Sequence, residues 1–176
     1  MKNNIILTGM PASGKSSVGI ELEKILPEYS FMDTDSLIQK TYGMTISEIF
    51  EKHGEDYFRK LENDIIKMVC TGEKRIISIG GGGFENPDNR ARLLQFGTVF
   101  YLKTDIDTLY YRLNEDNTRP LLNNPNQKET LLKLLKNRED NYNKANYVID
   151  VSSLDIHDIA IKILEIMNET TVKPEY

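Results

Sequence analysis

A single cysteine, Cys70, stands among the 176 residues, so no disulfide can form within the chain. It ends the apolar stretch 65–70 and reads as a small buried residue, not as a reactive thiol. Histidine is almost as scarce. His53 and His157 stand alone in their neighbourhoods, which excludes a histidine-based metal site and leaves both as surface or packing residues. No stretch approaches the ~20 apolar residues of a membrane-spanning helix, and the opening run Ile5-Ile6-Leu7 is too short for a signal peptide. A soluble, cytoplasmic protein with no membrane partner is therefore expected. The basic residues are dispersed and the net charge is −5, so there is no electrostatic footprint for nucleic acid. With 39% hydrophobic residues the chain carries enough apolar material for one ordinary core, and its composition is not that of a disordered segment.

The chain alternates short β-like runs with helical segments. Strands are expected over residues 4–8, 29–33, 75–79, 98–102 and 147–151. Helices are expected over 15–26, 55–70, 86–97, 105–113, 129–142 and 156–167, with another opening at Thr45 on a capping-box spacing to Glu48 and broken by Gly54. This alternation implies parallel strands joined by crossover helices, hence an α/β protein with three layers, α/β/α. No repeat or linker divides it, so residues 1–168 read as one domain, followed by a tail at 169–176. The polar stretch 114–127, broken by Pro120 and Pro125, reads as a lid. Ligands of such sheets bind beyond the carboxyl ends of the strands, which directs attention to the residues after Thr8, Asp33 and Ile79.

After the first strand comes Gly9-Met10-Pro11-Ala12-Ser13-Gly14-Lys15-Ser16, opening the first helix. It matches G-x-x-x-x-G-K-[ST] in the strand–loop–helix context that the motif requires. Backbone N–H groups across Ala12, Ser13, Gly14, Lys15, Ser16 and Ser17 would cradle the phosphates of a nucleoside triphosphate. Lys15 would reach the β- and γ-phosphates and Ser16 would ligate Mg²⁺. This motif alone does not name a reaction, since many nucleotide-hydrolysing and phosphoryl-transferring proteins carry it.

The acceptor side is read elsewhere. Asp33 and Asp35 flank Thr34 at the end of the second strand, and strand alternation would put both carboxylates on one side of an extended segment. One suits Mg²⁺ and the other suits the proton of an attacking hydroxyl. Gly80-Gly81-Gly82-Gly83 follows the third strand, where backbone free of Cβ atoms can form a ligand wall. Arg59 and Glu62 are spaced to pair on one helix. Arg138 falls on a helical stripe with Leu131, Leu135, Tyr142 and Ala145, so its charge is directed inward and calls for an anionic partner, from the protein or from a ligand. Arg119 in the lid is placed to offset charge on a transferring phosphoryl group, and Arg112 is a second candidate for nucleotide contact.

Taken in order, residues 9–16, Asp33-x-Asp35, Phe58-Arg59-x-x-Glu62, Gly80-Gly81-Gly82, Arg119-Pro120-Leu121-Leu122 and Arg138 with Tyr142 resemble shikimate kinases over nearly the whole chain. The resemblance implies a five-stranded parallel sheet of the nucleoside-monophosphate-kinase type among the phosphate-loop proteins. It also implies a monomer that phosphorylates the 3-hydroxyl of shikimate in aromatic amino-acid biosynthesis, with ATP as co-substrate and Mg²⁺ as cofactor. Under it Ser16 and Asp33 serve the metal, and Asp35 binds ring hydroxyls and acts as base. Arg59 and Arg138 grip the shikimate carboxylate, Glu62 steadies Arg59, and Gly81 and Gly82 face the substrate. Lys15 and Arg119 belong to the phosphates. Two residues depart from the family pattern: Ala12 stands where glycine is common, and Phe84 where smaller residues are, so that it is expected to narrow the site. A gluconate-type or nucleoside-monophosphate kinase of the same fold, or a module that binds nucleotide without turnover, are the alternatives. The other kinases have no need of Arg59, Arg138 and the glycine triplet together, and intact Lys15, Ser16, Asp33, Asp35 and Arg119 argue against a module without turnover.

Overall fold

The computed structural model describes residues 3–115 and 126–171. The elements in chain order are β1 Ile5–Thr8, α1 Lys15–Ile25, β2 Ser30–Asp33, α2 Thr34–Tyr42, α3 Ile46–His53, α4 Glu55–Cys70, β3 Arg75–Ser78, α5 Pro87–Phe96, β4 Thr98–Lys103, α6 Ile106–Glu115, α7 Gln127–Tyr142, β5 Tyr147–Asp150 and α8 Ile156–Thr171. All five strands are parallel, in the order β2-β3-β1-β4-β5. The expected strands are thus all present, and β1 lies at the centre.

Alternation along the strands divides the core in two, because successive side chains leave a strand on opposite faces. Ile5, Leu7, Ile76, Phe100 and Leu102 face one way and pack with Val18 and Leu22 of α1 and Ile159, Ala160 and Ile163 of α8. Ile6, Ile77, Val99 and Tyr101 face the other way, under Ile38 of α2, Ile49 of α3, Ile65 and Ile66 of α4, Leu93 of α5, Leu109 of α6 and Leu131 of α7. Apolar side chains on both faces of every inner strand are what an all-parallel sheet demands, and they account for the continuous hydrophobic runs of its sequence.

Local signals explain the ends of the helices. Thr45 and Glu48 form the reciprocal capping box expected of α3. Asn86 accepts from the N–H groups of Asp88 and Asn89, with Pro87 opening α5. Cys70 is buried, and burial pushes its thiol up to about 11, so it is an unreactive core residue.

Three expectations are corrected. The segment after Asp33 is not extended: α2 begins at Thr34, because the Asp33 carboxylate accepts the Ser36 N–H at 3.0 Å and caps a helix there. Phe84 does not narrow the site, since it is wholly buried in the core under α4 and α5. The margins of the expected lid are helical, with α6 reaching Glu115 and α7 starting at Gln127. The rest of that lid, with Arg119 and Pro120, lies outside the described residues, as does the end of the tail. Among the described residues no helix is long and apolar enough to cross a membrane.

Candidate active site

Register brings the carboxyl ends of the three strands to one level. Leu7 and Asp33 both pair with Ser78, and the Ile79 N–H reaches the Leu7 carbonyl at 2.9 Å. The chain therefore leaves β1, β2 and β3 side by side, into the phosphate loop, α2 and the glycine loop. Between them opens a cleft of about 960 Å³ lined by Ser13, Lys15, Ser16, Asp33, Asp35, Gly80 and Arg112, among others.

The phosphate loop has the backbone its motif requires. Gly9 and Gly14 hold φ of 146° and 92°, where a Cβ is unfavourable. Ala12 also sits in the left-handed region, at φ 63°, so the residue that departs from glycine does so at a position where glycine is the easier fit. Lys15 is buried, and its Nζ donates to the carbonyls of Gly9 at 3.0 Å and Met10 at 2.8 Å, which stretches the ammonium back over the loop it serves. Arg112 arches from α6 to donate to the Ala12 carbonyl at 3.4 Å.

Ser16 donates to Asp33 Oδ2 at 2.7 Å. Burial works against ionisation of Asp33, but hydrogen bonds from Ser16, Ser36 and Ser78 outweigh it and hold the carboxyl below its ordinary value. Asp35 comes to the same cleft from the first turn of α2.

The glycine loop is where the acceptor-side residues meet. A Cβ on Gly80 would overlap the Asp35 carboxylate, one on Gly81 would stand 3.2 Å from Arg138 Nη1, and one on Gly82 would overlap the Arg59 guanidinium. Each glycine is thus needed by a different site residue, which is the physical reason for the triplet. The loop is fixed from below by the Gly80 N–H, which donates to Thr34 Oγ1 at 2.9 Å. Arg59 donates to Glu62 at 2.7 Å and to Glu55 at 3.1 Å. Glu62 is 1% exposed; burial raises its pKa, the Arg59 charge opposes that rise, and Asp35 adds to it. Arg138 donates from Nη1 to the Gly81 carbonyl at 2.9 Å, so among the described residues its inward-directed charge is met directly by a backbone dipole, while the buried Glu62 carboxylate acts on it through space.

The structure therefore gathers Ala12, Ser13, Gly14, Lys15, Ser16, Ser17, Asp33, Asp35, Gly81 and Arg112 on the cleft. Arg59, Gly82 and Arg138 do not line it but stand next to it, Arg138 against Gly81 and Arg59 against Gly82. Sequence reasoning missed Glu55, the second carboxylate on Arg59, although its spacing of four on α4 was a signal. It also missed the far wall of the nucleotide end, where Glu21 of α1 meets His157 of α8 at 3.0 Å beside Ile20 and Ile156. No local pattern announces a contact between residues so far apart in the chain.

Comparison with known proteins places these residues among relatives. The family model described as shikimate kinase matches residues 11–168. The shikimate kinase of Caldanaerobacter subterraneus is 37% identical over 161 residues, covering 92% of this chain and 94% of the relative. That of Clostridium botulinum is 43% identical over 148 residues, covering 83% and 86%. Among solved structures, a shikimate kinase from Acinetobacter baumannii in complex with shikimate superposes with a TM-score of 0.92 at 35% identity, covering 97% of this chain and 96% of that one. A gluconokinase from Sinorhizobium meliloti, with a TM-score of 0.62 at 15% identity, shares the fold alone.

Proposed function

The chain belongs to the shikimate kinase family, and from that premise we propose that its cleft transfers the γ-phosphoryl group of ATP to the 3-hydroxyl of shikimate. The observation that carries this reading is the convergence of Asp35, Arg138 and Arg59 on Gly80, Gly81 and Gly82, at the end of a cleft that starts at the phosphate loop. A carboxylate base that takes a hydroxyl proton and two guanidiniums that take a carboxylate match the two polar ends of shikimate.

In the transfer, the 3-hydroxyl oxygen bonds to the γ-phosphorus while the bond from that phosphorus to the β,γ-bridging oxygen breaks, and ADP departs. Asp35 accepts the hydroxyl proton. Lys15 and the loop N–H groups hold the phosphate oxygens, whose charge grows during transfer. Arg59 and Arg138 fix the carboxylate; a guanidinium presents parallel donors to it, which sets ring orientation as well as affinity. Glu62 and Glu55 keep Arg59 extended along α4 toward that position.

The residues at the loop mouth fit a divalent cation. Ser16 and the ionised Asp33 are already in contact, and among the described residues no group of three or more acidic or histidine ligands gathers. Such a site suits Mg²⁺, which keeps several waters and borrows phosphate oxygens. Bound there, the ion would neutralise charge on the β- and γ-phosphates. Arg119 joins the phosphates on the strength of the sequence pattern. A monomeric, cytoplasmic enzyme with one kinase domain over residues 1–168 completes the proposal.

The test is a coupled ADP-release assay with shikimate, gluconate, AMP and CMP as acceptors. Turnover confined to shikimate is expected. Preference for gluconate or a nucleotide, or no turnover with any acceptor, would overturn the reading.

A further inference from the structure

One face of α7 is joined to the glycine loop at two separate points. Arg138, Asn141 and Tyr142 share that face, since they stand three and four residues apart. Arg138 and Tyr142 both donate to the Gly81 carbonyl, at 2.9 Å and 2.6 Å. Burial pushes the Tyr142 phenol up to about 12, so it is a hydroxyl donor throughout the neutral range. Four residues along the loop, Glu85 Oε2 accepts from Asn141 Nδ2 at 3.0 Å. The other oxygen, Glu85 Oε1, is buried and has no hydrogen-bond partner among the described residues.

That orphaned oxygen is informative. A buried carboxylate oxygen without a donor is costly, and an alanine here would avoid the cost. Local rules are broken in this way chiefly at functional sites. The loop before it is glycine, and its turns are held by the N–H groups of Gly83 and Glu85, which donate to the carbonyls of Gly80 at 2.9 Å and Gly82 at 3.1 Å. Gly81 is gripped by α7, and Phe84 is anchored in the core. The loop is pinned at Gly80 by Thr34 and at Phe84 and Glu85 by Arg90, so its path is fixed; what Asn141 on Glu85 adds, among the described residues, is a second point at which this face of α7 is seated on it. Without that point the seating of α7 rests on the Gly81 carbonyl, shared by the Arg138 guanidinium and the Tyr142 hydroxyl.

We infer that Glu85 is a positioning residue for Arg138, acting through Asn141: the pair fixes the glycine loop against α7, and so fixes the direction in which Arg138 presents its remaining donors to the acceptor carboxylate. This rests on the reading of Arg138 as a carboxylate anchor.

The test is steady-state kinetics of the full chain, varying shikimate and ATP separately. Glu85→Ala and Asn141→Asp, the second of which sets two carboxylates face to face, are expected to raise KM for shikimate by about 5- to 20-fold, at the low end of the roughly 10- to 150-fold expected when a hydrogen bond to a charged group is lost outright, because Arg138 is misdirected and not removed. The value of kcat stays within about 3-fold and KM for ATP is unchanged, a split that general loss of stability does not produce. The reciprocal pair, Glu85→Gln with Asn141→Asp, exchanges donor and acceptor at the same net charge and is expected to bring KM back to within about 3-fold of the parent, the mark of a direct contact. Arg138→Ala is the reference arm. If it raises KM for shikimate while Glu85→Ala and Asn141→Asp leave it unchanged, or the exchange fails to restore it, the positioning role is wrong and the anchor stands. If Arg138→Ala itself leaves KM for shikimate unchanged, the anchor reading falls and this inference falls with it.

Discussion

At the nucleotide end of the cleft the phosphate cradle is one run of consecutive residues, 9–16, to which other elements add single side chains such as Arg112 and Asp33. At the acceptor end the polar groups are side chains brought from α2, α4 and α7 to the edge of one glycine loop. The two ends also manage charge differently. Lys15 is held by carbonyls of its own loop. Arg59 is held by two carboxylates on its own helix, and Arg138 reaches across to a carbonyl of another segment. A site made of backbone serves any triphosphate, whereas one made of side chains selects the second substrate. The chemistry shared with other kinases therefore sits in a contiguous motif, and the chemistry that distinguishes this one is dispersed.

The largest effect that separates the two ends is expected from Lys15→Ala. Losing the ammonium proposed to hold the transferring phosphoryl group is expected to lower kcat by roughly 10²–10³-fold or more, the magnitude seen when one preorganised transition-state donor is removed. Circular dichroism and calorimetric titration with shikimate check that fold and acceptor end survive. Near-normal turnover in a folded variant would contradict the mechanism.

Gly82→Ala breaks the other end. Its Cβ would overlap the Arg59 guanidinium, which is the far end of a flexible side chain and can swing aside. Stability should hardly change, while kcat/KM for shikimate falls by about 10- to 100-fold because the anchor is displaced by about an ångström. KM for ATP is the control and stays unchanged. A variant with undiminished shikimate turnover would show that Arg59 does not use that space.

Glu62→Gln sharpens the contrast through pH. The pKa of Glu62 is raised by burial above the ordinary 4.5, so the ionised form costs stability above the folded pKa and protonation relieves that cost as pH falls. The stability of the variant relative to the parent should therefore improve as pH rises from about 4.5 through the raised value, by denaturant melts at each pH. The opposite slope would mean that Arg59 outweighs burial.

The smallest effect is Ala12→Gly. At φ 63° a Cβ is disfavoured, but glycine loses more chain entropy on folding. A net gain of no more than about 1 kcal/mol in thermal stability is expected, with ATP binding intact. A clear loss of stability would show that the methyl packs usefully.

The same division decided what the sequence revealed. The phosphate loop and all the strands were legible because each is a local pattern, a fixed spacing or an unbroken apolar run. Arg138 was legible as an inward charge, yet its contact with Gly81 was not, because that contact joins α7 to a loop far away in the chain. The fate of Phe84 followed from which side of the glycine loop faces the core. Asp35 was assigned to the right cleft on a wrong backbone: strand alternation was carried two residues too far, past a capping aspartate whose signal, Asp33 three residues before Ser36, was present. The Glu21–His157 wall needed α1 and α8 to be adjacent on one face of the sheet, which no spacing records.

The central claim, that Arg59 and Arg138 hold one carboxylate at the acceptor end, is tested most directly by calorimetric titration of shikimate into Arg59→Ala and Arg138→Ala, with ATP titrated in parallel. A charge-assisted contact is worth roughly 1.5–3 kcal/mol, so shikimate affinity should fall about 10- to 150-fold in each variant while ATP affinity is unchanged. Unaltered shikimate affinity in both would contradict the account and place the carboxylate elsewhere.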